Sequence, residues 1–212
     1  MRLRGLALMG ALAALSLGAG NWAAVAEESD PSSLAIGSPA PLADVKMKNI
    51  DGKPFSIADV KGKNGTLVVF TCNACPWAKA WESRIVEIGN AAAKQGVGMI
   101  AINSNDPAVQ GEDGFDVMQK RAKTRGMHYP YVVDATSEVA RAFGATRTPE
   151  AFLFDRDGKL VYHGTIDDNA REPEKVQSRY LKDAVAAVAA GSTPSVAETK
   201  AFGCGIKFRS KS

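Results

Sequence analysis

Leu67-Val68-Val69-Phe70-Thr71-Cys72-Asn73-Ala74-Cys75-Pro76-Trp77 decides the reading of this chain, because a short apolar run turns there into an amphipathic stretch through two cysteines. The run 67–70 has the length and the β-branched content of a buried strand. After it, Trp77, Trp81, Ile85, Ile88 and Ala92 recur at helical spacing, and Gly96 is placed to end the helix. The cysteines therefore stand at a helix N-terminus. Free N–H groups and the positive end of the dipole favour an anion there by roughly 0.3–2 kcal/mol. On this reading Cys72 is the thiolate, lowered from about 8.5 toward about 7. A thiolate is the form that attacks disulfides and peroxides.

Other uses of the pair fit less well. Attachment of a c-type haem needs His after the second cysteine, where Pro76 stands. Structural zinc takes four ligands, and Cys72, Cys75, Cys204, His128 and His163 are all the cysteines and histidines in the chain. A structural disulfide across three residues constrains the unfolded chain little. No metal and no cofactor is expected. The two tryptophans read as core, with Trp77 partly exposed beside the thiols.

Working outward, strand 97–102 follows the helix and should run parallel to strand 67–70, since a helical crossover joins them. Its C-terminal loop, Asn103-Ser104-Asn105-Asp106-Pro107, then opens on the same sheet edge as the cysteines, where ligands of open α/β sheets collect. Asn103 is thus a candidate for lining the approach to Cys72, and a cap and turn before the helix of Phe115, Met118 and Ala122 is the alternative. Residues 131–133 read as a strand, and Val139, Ala140 and Phe143 mark a short helix closed by Gly144. Residues 151–154 and 160–163 form a hairpin around Asp155-Arg156-Asp157-Gly158, and Val176, Tyr180, Val185 and Val188 suggest a last helix. Asp51-Gly52-Lys53 gives a hairpin signal within residues 42–60. The fold class is α/β, a central mixed sheet flanked by helices.

At the N-terminus, Arg2 and Arg4 precede an apolar stretch over residues 5–20, and Ala24-Val25-Ala26 has the small-x-small pattern of a cleavage site. Residues 1–26 read as a signal peptide and 27–40, rich in Ser, Pro and Ala, as a linker. Residues 41–190 form the domain and 191–212 a C-terminal tail carrying Cys204. The expected location is periplasmic or secreted, with no membrane anchor once the signal is cleaved. The formal net charge of +3 falls to about +1 without Arg2 and Arg4, a balance that points to no nucleic-acid partner.

Ile36-Gly37-Ser38-Pro39-Ala40-Pro41, the Asp51-Gly52-Lys53 turn, the segment 70–76, the loop 103–107 and Thr148-Pro149-Glu150 through Phe152-Leu153-Phe154-Asp155 together resemble the thioredoxin superfamily. The resemblance is to the exported branch that joins thioredoxin-like reductases to the AhpC/TSA redoxins. It implies a thioredoxin-like fold, an exposed attacking Cys72 and a buried resolving Cys75. It also implies a cis Pro149 packed against the pair, with Thr148 offering its backbone to an incoming peptide. Departures accompany the matches. The Pro and Thr or Ser that precede a peroxiredoxin's reactive cysteine are replaced by Gly65 and Val69 before Cys72, and by Val68 and Cys72 before Cys75. Thr66 stands where thioredoxin carries a buried acid, which leaves Glu150 and Asp106 as candidates for proton transfer.

The function expected is an exported thiol-disulfide oxidoreductase that acts on protein or small-molecule disulfides and thiols, with a thiol protein as electron donor. A thiol-dependent peroxidase is the alternative, followed by a copper-binding chaperone and a non-catalytic binding module. Cys204, flanked by Gly203 and Gly205 and by Phe202, Ile206 and Phe208, is a candidate additional redox thiol on a docked tail.

Overall fold

The structure, a computed structural model, describes residues 33–210. The signal-peptide reading of residues 1–26 lies outside the described residues, as does the first part of the linker.

Among the described residues, nine strands and four α-helices make up the domain. The strands are β1 (Met47–Asn49), β2 (Pro54–Phe55), β3 (Gly65–Phe70), β4 (Val97–Asn103), β5 (Tyr131–Val133), β6 (Arg147–Thr148), β7 (Glu150–Asp155), β8 (Leu160–Gly164) and β9 (Cys204–Gly205). The helices are α1 (Pro76–Ala92), α2 (Phe115–Arg125), α3 (Glu138–Phe143) and α4 (Tyr180–Ala189). Seven strands form one mixed sheet in the order β2-β1-β5-β4-β3-β7-β8, and β6 pairs with β9 apart from it. β3, β4 and β5 are parallel, as the helical crossover requires, while β7 and β8 form the expected antiparallel hairpin.

Alternation along the central strands divides the core into two faces. Leu67 and Val69 of β3 point with Met99, Tyr131 and Leu153 toward Trp81, Ile85 and Ile88 of α1 and Leu181, Val185 and Val188 of α4. Val68 and Phe70 point the other way, with Ile100, Ile102, Val132, Phe152 and Phe154, and meet Phe143 of α3. Phe143 sits edge-on to both Phe70 and Phe152, each with ring centroids 5.2 Å apart. Each such ring contributes roughly 1.5–3 kcal/mol through burial. β3 is buried on both faces, which is why its sequence is a continuous apolar run without alternation.

Gly96 ends the α1 region as expected, through a 3₁₀ turn and a left-handed φ of 72°. Val176 lies outside α4, in the extended backbone after a 3₁₀ turn, so the last helix begins later than its apolar spacing suggests. The described part of the segment read as a linker is fastened to the domain. Leu34 N–H donates to Phe143 O at 3.1 Å, and Ser38 O accepts from Leu160 N–H at 2.9 Å. The tail is fastened as well: residues 197–199 run beside β8, with His163 N–H donating to Ala197 O and Thr199 N–H to His163 O, both at 2.9 Å. No described helix is long and apolar enough to cross a membrane.

Candidate active site

β3 delivers the chain to the C-terminal edge of the sheet at Phe70, and α1 leaves that edge at Pro76. Proline suits the first helical position, where its missing N–H would have no helical partner. Cys75 is the N-cap, with extended φ and ψ of −65° and 124°. The turn between the two elements is held by a carboxylate that the sequence reading did not single out. Asp113 Oδ1 accepts from Asn73 N–H at 2.6 Å and from Ala74 N–H at 3.2 Å, and its Oδ2 accepts from Asn105 Nδ2 at 2.8 Å. The Asn73 side chain is fixed too, donating to Glu112 O at 2.9 Å and accepting from Tyr131 OH at 3.1 Å. Nothing in Gly111-Glu112-Asp113-Gly114 marks the second acid as buried. Only the crossover that brings this loop under the cysteines does so.

The loop after β4 lies on the expected edge, but Asn103 has a different task from the one its position suggests. It is 1% exposed and orients the loop, its Oδ1 accepting from Asn105 N–H at 3.0 Å. It does not line an approach to the thiols. Asp106 lies in a local turn, its Oδ1 accepting from Ala108 N–H at 2.9 Å.

Three free thiols meet at this edge. Cys72 and Cys75 form a small cluster with Ala78, against which Trp77 and Cys204 pack. Thr148 touches both members of the pair: its Oγ1 lies 3.3 Å from Cys72 Sγ, and its carbonyl accepts from Cys75 Sγ at 3.1 Å. Cys75 and Cys204 approach to 2.8 Å. The Thr148–Pro149 bond is cis.

The thiolate assignment differs from the expectation. Cys72 is not exposed; it and Cys75 are each 4% accessible. The thiol of Cys72 is raised, first because it gives its proton to a hydrogen bond with Cys75, then by burial and by the Asp113 carboxylate. The thiol of Cys75 is lowered, above all by that same bond from Cys72, with further support from Cys204 and the Ala78 N–H. The helix begins immediately after Cys75, which sets that sulfur at the positive end of the dipole. Its contact with the Thr148 carbonyl favours the protonated thiol and works in the opposite sense. The adjacent Cys72 and Cys204 thiols act toward the thiolate.

In the reduced protein, iodoacetamide is therefore expected to label Cys75 faster than Cys72 at pH 7. The Cys75 rate should stay nearly level as pH falls through about 8.5, the ordinary thiol value, where an unperturbed cysteine loses reactivity. Peptide mapping of the labelled sites checks this, and faster labelling of Cys72 would restore the original assignment.

Glu150 lies behind the Thr148–Pro149 loop. Its Oε2 accepts from the N–H groups of Thr146 and Arg147, both at 2.8 Å, and its Oε1 pairs with His163 Nε2 at 2.7 Å. Both oxygens are thus engaged in holding the loop. Trp77 is partly exposed beside the thiols as expected, with Phe202 edge-on at 4.6 Å and the Arg171 guanidinium 4.7 Å over its ring. These side chains, with Trp81 and Asp168, line a groove of ≈ 410 Å³.

Residues 36–163 match the model of the AhpC/TSA family, and the chain belongs to that family. It is 27% identical over 139 residues to the thiol-disulfide oxidoreductase ResA of Geobacillus thermodenitrificans, covering 65% of this chain and 74% of that one. An uncharacterized conserved protein from Geobacillus kaustophilus superposes with a TM-score of 0.78 at 33% identity, over 85% of this chain and 96% of that one. A thiol:disulfide interchange protein of the thioredoxin family from Chlorobium tepidum superposes with a TM-score of 0.50 at 29% identity, over 62% and 87% of the two chains. The fold is thioredoxin-like, and the protein is a thiol-disulfide oxidoreductase of the thioredoxin superfamily.

Proposed function

We propose that the protein is an exported oxidoreductase whose redox centre is the Cys72–Cys75 pair, with Cys75 attacking and Cys72 resolving. The observation that carries this reading is the position of Cys75. It caps α1, its thiol is lowered by the neighbouring Cys72 and Cys204, and it adjoins β6, the strand on which the extended tail segment β9 is already paired beside the thiols. The steps are those of thiol-disulfide exchange. Cys75 attacks one sulfur of the substrate disulfide and the other leaves as a thiolate. Cys72 then attacks Cys75, which releases the second substrate thiol and leaves Cys72 and Cys75 joined. Thr148 Oγ1 can donate to Cys72 while that sulfur carries charge. Asp113 holds the turn so that the two sulfurs stay in reach of each other. Glu150 and His163 support the Thr148–Pro149 loop, and Trp77 flanks the substrate side. Export is supported by the pattern of residues 1–26. Substrates are disulfides of protein or small-molecule origin, and a dithiol protein returns the electrons.

The test compares two activities of the full mature chain with dithiothreitol as donor. Insulin disulfide reduction is expected to proceed well above the rate of dithiothreitol alone, while hydrogen peroxide is consumed no faster than by an ordinary protein thiol. Peroxide turnover that exceeds disulfide turnover would select the peroxidase instead.

A further inference from the structure

The C-terminal strand lies where the proposed function places a substrate peptide. β9 pairs antiparallel with β6, setting Cys204 opposite Thr148 and Gly205 opposite Arg147. Bonds on both sides fix that register. Before Cys204, residues 197–199 are bonded to His163, and Phe202 packs on Trp77. After it, Ile206 N–H donates to Thr146 O at 3.0 Å, Lys207 N–H donates to Asn105 Oδ1 at 2.8 Å, and Lys207 O accepts from Asp106 N–H at 2.7 Å. Gly203 permits the close approach: a Cβ there would lie 2.1 Å from Thr148 O. The result is that Cys204 lies 2.8 Å from Cys75.

Accessibility separates the three sulfurs. Cys72 and Cys75 are each 4% exposed, whereas Cys204 is half-buried. A protein-sized dithiol meets Cys204 first. Cys75 adjoins both of the others, clustered with Cys72 and 2.8 Å from Cys204.

We infer that Cys204 is a third redox thiol of this site, which exchanges with Cys75 and carries the oxidising equivalent from the buried Cys72–Cys75 disulfide to the surface. The inference rests on the redox pairing of Cys72 and Cys75 proposed above. In the oxidised protein the Cys204 thiolate attacks Cys75 Sγ. The Cys75–Cys204 bond forms, the Cys72–Cys75 bond breaks, and Cys72 leaves as a thiolate that takes up the proton Cys204 gave up. This exchange moves no net electrons. An external dithiol then reduces the Cys75–Cys204 disulfide, supplying two electrons and two protons and becoming a disulfide itself. Burial and the nearby Asp113 carboxylate favour the protonated form of the departing Cys72.

The experiment oxidises the full mature chain with glutathione disulfide and maps its disulfides under non-reducing conditions, in wild type, Cys72→Ser and Cys75→Ser. Cys72→Ser is expected to give mainly Cys75–Cys204. Wild type is expected to give this bond alongside Cys72–Cys75, and Cys75→Ser to give little or no Cys72–Cys204. Absence of Cys75–Cys204 from a Cys72→Ser protein with wild-type circular dichroism would overturn the inference, as would Cys72–Cys204 formed in equal yield in Cys75→Ser. The oxidised Cys204→Ser variant supplies a kinetic arm. Its reduction by thioredoxin should slow about tenfold or more, the scale of losing a positioned reactant, and an unchanged rate would overturn the relay. Loss of Cys75–Cys204 with Cys72–Cys75 intact removes this inference alone. Absence of Cys72–Cys75 from oxidised wild type removes the proposed function with it.

Discussion

Cys75→Ser is expected to bring disulfide reduction down to the uncatalysed rate, because it removes the one sulfur that contacts both other thiols and the substrate edge. The fold should survive, since serine replaces the thiol with a hydroxyl of similar shape at an N-cap, where serine is favoured. Cys72→Ser is expected to behave differently. Cys75 can still form a mixed disulfide, and resolution falls to Cys204. In the Cys72→Ser/Cys204→Ser double variant the mixed disulfide with substrate should therefore accumulate. Intact-mass measurement reads it directly, and accumulation in Cys75→Ser instead would show that Cys72 attacks first.

The second large effect is expected at Asp113. Alanine there leaves the Asn73 and Ala74 N–H groups and the Asn105 amide without their acceptor, in a site where Asp113 itself is 3% exposed. Each unpaired buried donor costs about 1–3 kcal/mol, so Asp113→Ala should lose about 3 kcal/mol or more of stability. For a domain of this size that is roughly 10 °C in Tm. Asp113→Asn separates charge from structure. It keeps an acceptor oxygen but removes the negative charge that helps hold the Cys72 thiol up. The Cys72 thiolate then becomes easier to form, the reduced state gains stability, and the reduction potential should move to a more oxidising value. Thermal melts and glutathione titration check the two variants, and an unchanged Tm in Asp113→Ala would contradict the role assigned to the carboxylate.

Much of the architecture was legible because the chain alternates its periods cleanly. The apolar run of β3, the helical spacing from Trp77 to Ala92 and the Asp-Gly turns of the two hairpins each carry their own local signal. Joined by the crossover rule, these signals also placed the cysteines on the ligand-binding edge. The thiolate assignment turns on a local detail. The dipole argument favours the sulfur that caps the helix, and with α1 opening at Pro76 that sulfur is Cys75. Asp113 and the true task of Asn103 were invisible because both depend on two loops, far apart in sequence, meeting beneath one turn. The tail gave a partial signal. Its glycines and aromatics suggested docking, yet which sulfur Cys204 would meet depended on the register of β9 against β6.

The central claim is that Cys72 and Cys75 interconvert between dithiol and disulfide as the protein's working redox couple. Equilibration of the Cys204→Ser chain across a range of glutathione poises, with acid quench, alkylation and mass spectrometry, tests it most directly. The expected result is one two-electron transition in which both sulfurs lose alkylation together and a Cys72–Cys75 disulfide appears. Thiols that stay separately alkylated at every poise, or that form only mixed disulfides with glutathione, would contradict it.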